Sequence, residues 1–90
     1  MDNQTNRNRP RVNAEFERRF KYITSYGGRN TECRDAIVQA CKDAGIKCNT
    51  HIFYNWLGSF TIMPQYAKNV VFPILEKYEQ LQKEEIENAS

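Results

Sequence analysis

The sequence predicts an all-α fold, a small bundle of about five helices forming a single domain. Three observations carry that prediction. Apolar residues recur at helical three- and four-residue steps along most of the chain, and no stretch shows the alternation of a half-buried strand. Glycines or prolines punctuate the periodic runs, at Gly27-Gly28, Gly45, Gly58 and Pro64. Finally, 90 residues that are 40% hydrophobic and 27% charged match one soluble globular domain and are too few to divide between two cores.

Residues 1–11 (MDNQTNRNRPR) are rich in Asn and Arg and offer nothing to bury, so a flexible basic arm is expected there. Arg7, Arg9 and Arg11 suit phosphate contacts or entry into a minor groove, as basic arms do. The start lacks the apolar stretch of a secretory signal, and no apolar run approaches the roughly 18 residues that span a bilayer. A cytoplasmic protein without membrane contact is expected. An odd count of three cysteines does not describe a disulfide framework, and reduced, buried thiols are expected instead.

The folded domain is expected over residues 12–86. Asn13 can cap the first helix, with Glu15 and Glu17 favoured near its positive end. Val12, Phe16, Phe20 and Ile23 form its apolar stripe, and Gly27-Gly28 ends it. The second helix is predicted from about Thr31 to Ala44. Its buried face is Cys33, Ala36, Ile37, Ala40, Cys41 and Ala44, small side chains that let another helix pack close; Arg34, Asp35, Gln39, Lys42 and Asp43 lie opposite. Gly45 closes it and Ile46 drops into the core.

A short third helix is capped by Asn49 or Thr50 and stopped by Gly58-Ser59. Angular placement puts Ile52, Phe53, Trp56 and Leu57 on its inner side and His51, Tyr54 and Asn55 on its outer side. Pro64 suits the first turn of a fourth helix with Tyr66, Ala67, Val70 and Val71 as apolar face. Pro73 then either opens a fifth helix or bends a longer one. Ile74, Leu75, Tyr78 and Leu81 continue the helical spacing, and residues 87–90 are expected to fray.

Charge is uneven along the chain. Residues 1–29 carry a net +4, residues 30–75 a net +1 and residues 76–90 a net −3. A basic front end points to a polyanion as partner.

A small residue inside one helix, a glycine turn, an apolar anchor and a second helix clamped by apolar residues are the parts of a helix-turn-helix. Ala40 or Cys41, Gly45, Ile46, and the set Phe53, Trp56 and Leu57 supply them. On "AIVQACKDAGI", "IFYNWL" and "GSFTIMP", the sequence over about residues 31–75 resembles the Cro/repressor-like helix-turn-helix family of phage and mobile-element regulators. The turn segment "KCNT" is about two residues longer than the family pattern, with Trp56 eleven residues after Gly45.

The resemblance implies sequence-specific binding of double-stranded DNA, with the third helix in the major groove of an operator. Asn49, Thr50, His51, Tyr54 and Asn55 would then reach base edges. Arg29, Arg34 and Lys47 would join the arm's arginines on phosphates. Operator symmetry implies a homodimer, for which the C-terminal stripe Ile74, Leu75, Tyr78 and Leu81 is a candidate interface.

Other chemistries fit less well. Cys33, Cys41, Cys48 and His51 are zinc-type ligands, but two helical turns, about 12 Å, separate Cys33 from Cys41, too far for one tetrahedral ion. One His, no phosphate-cradling glycine loop and no central carboxylate cluster argue against an enzyme, and no cofactor or small-molecule substrate is expected. The competing reading is a protein-interaction module presenting Tyr54, Phe60, Ile62 and Met63, with the acidic C-terminal helix as docking element.

Overall fold

The computed structural model describes residues 11–89; Arg7, Arg9 and the rest of the expected arm up to residue 10 lie outside them. Among the described residues the architecture is all-helical, with four helices and no strand. They are α1 (Ala14–Thr24), α2 (Asn30–Asp43), α3 (Thr50–Leu57) and α4 (Gln65–Ala89). α4 packs along both α1 and α2, and α3 lies against α1 and α2.

The expected five helices become four because Pro73 lies inside α4. The buried stripe Ala67, Val71, Leu75, Tyr78 and Gln82 runs through the proline at unbroken helical spacing. Pro73 and Asn69, whose carbonyl loses its usual donor, are both exposed, so water can replace the missing bond. Residues 87–89, expected to fray, form the last turn of this helix.

Phe16, Phe20 and Ile23 of α1 are buried as a stripe, but Val12 precedes the helix, falls out of its register and is exposed. In α2, Cys33, Ile37 and Cys41 are buried, Ala36 and Ala40 flank them, and Ala44 faces solvent. The expected apolar face of α4 needs one correction. Ala67 and Val71 are buried, whereas Tyr66, about 100° away from Ala67 around the helix, is 63% exposed. The core closes on an aromatic trio in which Phe53 meets Phe16 and Phe20 edge-on, at 5.6 and 5.1 Å between ring centres.

Two turn devices set α3 in place. At the end of α2, Gly45 takes φ +79, its N–H bonds the Lys42 carbonyl and the Ile46 N–H bonds Cys41, the paired bonds of a Schellman cap. At the start of α3, Asn49 Oδ1 accepts the Ile52 N–H at 2.9 Å.

Asn13 does something other than cap α1. Its side chain makes no cap bond and reaches instead to the α3–α4 linker. Nδ2 donates to the carbonyls of Trp56 and Thr61, both at 2.8 Å, and Oδ1 accepts the Met63 N–H at 3.0 Å. The Asn13 N–H donates to Ser59 Oγ at 3.2 Å, and that hydroxyl donates to Glu17 at 2.6 Å. Ser59 holds a left-handed φ of +59, a conformation these bonds help to maintain.

Candidate nucleic-acid interface

The outer face of α3 is the surface that sequence reasoning singled out. Thr50, His51 and Tyr54 are exposed and Asn55 is half-exposed, with its Nδ2 3.3 Å from His51 Nε2. The inner face buries Phe53 and Trp56, with Ile52 and Leu57 at its edges. An eight-residue helix is too short to persist alone, so this inner packing holds the outer side chains in register. Asn49 sits at the same end, but its side-chain oxygen is committed to the cap.

Arg34 joins this face from α2. Its Nη1 donates to the Tyr54 hydroxyl at 3.1 Å, and its guanidinium carbon lies 6.0 Å from the centre of the Tyr54 ring. Nε donates to Asp35 Oδ1 at 3.0 Å, and Nη2 lies 3.0 Å from the same oxygen as an ion pair. Hydrogen bonding to Tyr54, then to Asp35, raises the Arg34 pKa above its ordinary value, so the group is permanently cationic. Lys47 is exposed in the turn leading into α3.

The remaining expected phosphate contacts are placed differently. Arg29 bonds Glu85 of α4 at 2.9 Å and lies 3.9 Å from Glu32. It shares a shallow depression with Leu81, Glu84, Glu85 and Asn88, where an incoming phosphate would meet carboxylates. Arg11 pairs with Glu17 and lines a second, open groove with Ala14, Arg18, Phe20, Lys21 and Leu57. The cations of that groove, Arg18 and Lys21, were not picked out from the sequence. The signal in the sequence is their three-residue spacing, which puts Arg18 and Lys21 side by side on the exposed face of α1, with Arg11 just before the helix.

No family model, curated protein or solved structure matches the chain.

The four zinc-type side chains do not converge. Cys33 and Cys41 lie in the core, His51 points outward, and among the described residues no three His, Cys, Asp or Glu side chains are grouped to hold a metal ion. Cys48 is buried too, and its thiol donates to the Asn49 carbonyl at 3.8 Å. Burial pushes the Cys33 and Cys41 thiols from 9.0 up to about 12. Because these folded values are raised, the stability they contribute is complete below the unfolded pKa and is lost as pH climbs from 9.0 toward about 12. Burial raises the Tyr78 hydroxyl as well, with its bond to Glu32 adding to the effect. The urea midpoint is therefore expected to fall progressively above pH 9, and less steeply in Cys33→Ala than in the native chain. A midpoint flat to pH 11 would contradict this.

Of the apolar surface expected for a protein partner, Met63 is a correction: it is buried, with its N–H taken by Asn13. Phe60 and Ile62, in the α3–α4 linker, are 64% and 66% exposed. No helix among the described residues is long and apolar enough to cross a membrane. In the stripe considered for dimerisation, Leu75 and Tyr78 are buried in the domain's own core, and only Ile74 and Leu81 reach its edge.

Proposed function

We propose that the protein binds double-stranded DNA sequence-specifically as a transcriptional regulator, with α3 in the major groove. The observation that carries this reading is the outer face of α3. Four polar or aromatic side chains able to bond base edges stand together on a short helix whose opposite side is clamped into the core. The Schellman turn at Gly45 and the small residues of α2 supply the joint such a helix needs. Lys47 and Arg34 provide positive charge beside it. A two-fold operator would engage two copies, with Ile74 and Leu81 of α4 as the C-terminal contact.

Binding of a fluorescent random duplex at two salt concentrations tests the reading. Affinity should fall steeply with added salt, the logarithmic slope growing by about 0.9 for each phosphate contact. Asn55→Ala and His51→Ala should relax sequence preference while leaving the thermal midpoint within a few degrees. Unchanged preference in both variants would remove α3 as the reading element.

The exposure of Phe60, Ile62 and Tyr66, within seven residues of one another, favours a second reading as a protein-interaction module. Such a contact would be nearly indifferent to salt, and the same titration separates the two.

A further inference from the structure

Resting on the DNA reading above, we infer that Arg34 reads a guanine base edge and that Tyr54 and Asp35 are its positioning residues. The face of α3 needs a donor of this kind. Thr50–Leu57 contains no Lys or Arg, so the helix itself lacks the forked donor best matched to guanine O6 and N7. Arg34 supplies it from the neighbouring helix, twenty residues earlier in the chain.

The donor inventory of the guanidinium shows why a base suits it better than a phosphate. It has five N–H groups. Nε–H goes to Asp35, Nη2 lies 3.0 Å from the same carboxylate oxygen as an ion pair, and one N–H of Nη1 goes to the Tyr54 hydroxyl. That leaves one N–H on Nη1 and two on Nη2, so both terminal nitrogens can still donate to two adjacent acceptors. A phosphate brought to this pair would approach the Asp35 carboxylate, and the two anions would repel. The guanine acceptors are neutral and meet no such opposition. Contact with the Tyr54 ring further restricts the side chain, so less rotamer freedom is lost when the bonds form. Arg34 thus passes from the set expected on phosphates to the set that reads bases, and Tyr54 acts through it.

Selection from a pool of random duplexes, followed by sequencing, provides the test. The native protein should enrich a motif with at least one fixed guanine, disfavouring its replacement by roughly 5- to 150-fold. Arg34→Lys keeps the charge but loses the fork. It should reduce discrimination at that one position to within about threefold while preserving the other positions and the salt slope. Tyr54→Phe should weaken preference at the same position and at no other. If Arg34→Lys retains the native motif undiminished, or lowers affinity equally for all sequences, Arg34 is a phosphate contact and the inference fails while the DNA reading stands. If the native protein enriches no motif, both fail together.

Discussion

Phe53→Ala is expected to lower the free energy of unfolding by about 3–5 kcal/mol, the range for truncating a large aromatic in a closed core. The side chain is fully buried and meets the edges or faces of Phe16 and Phe20 of α1 and Tyr54 of its own helix. Three rings would lose their common neighbour, and rigid helices around them cannot collapse fully into the space. Trp56→Ala should fall in the same range, since Trp56 is the other fully inward anchor of α3. Urea denaturation followed by circular dichroism measures both. A loss below about 1 kcal/mol would mean that α3 is not held by this packing, because isolated surface changes stay within about half of that. Either variant should also blunt sequence preference on DNA, because the outer face depends on the inner one.

Asn13→Ala is expected to cost about 2–4 kcal/mol, although it removes only a small polar side chain. The change strands the buried Met63 N–H and the part-buried Thr61 carbonyl, and takes one donor from the Trp56 carbonyl, which keeps the Ser59 N–H. An unsatisfied buried group costs about 1–3 kcal/mol, and some of that is recovered where water reaches Thr61. Asn13→Asp gives the sharper comparison. It keeps an acceptor for Met63 but turns an oxygen toward two carbonyls, so it should be no better than Ala at neutral pH. Hydrogen exchange at the Met63 amide should accelerate most in Asn13→Ala, which removes its acceptor. An Asp variant as stable as the native chain would show that the side chain does not bridge the linker as described.

Local rules made much of the fold legible. The stripes Phe16–Phe20–Ile23 and Cys33–Ile37–Cys41, the Gly45 turn and the Asn49 cap each follow from residues within a few positions of one another. Asn13 shows where such rules stop. Its position before a helix favours a cap, yet its partners lie 43 to 50 residues away, and only the folded chain brings them near. The same holds for Arg34 and Tyr54, which angular placement assigned to outward faces of two helices without showing that they touch. Pro73 was legible as an irregularity, but the continuing stripe decided that it would be carried inside α4. Gln82 ends that stripe fully buried, a polar side chain at a core position with one bond to Ser25, and the hydrophobic pattern gave no sign of it.

The placement of α4 has a consequence for how the protein is made. Its stripe from Ala67 to Gln82 covers both α1 and α2, so the apolar sides of those helices have no other lid of comparable length. During synthesis the first three helices emerge before the 25 residues of α4 have been translated. Until then the sides of α1 and α2 that α4 covers stay open to water or to other chains, and ribosome-bound intermediates ending near Ser59 should be sensitive to protease. Emergence of α4 turns that vulnerable nascent chain into a closed domain.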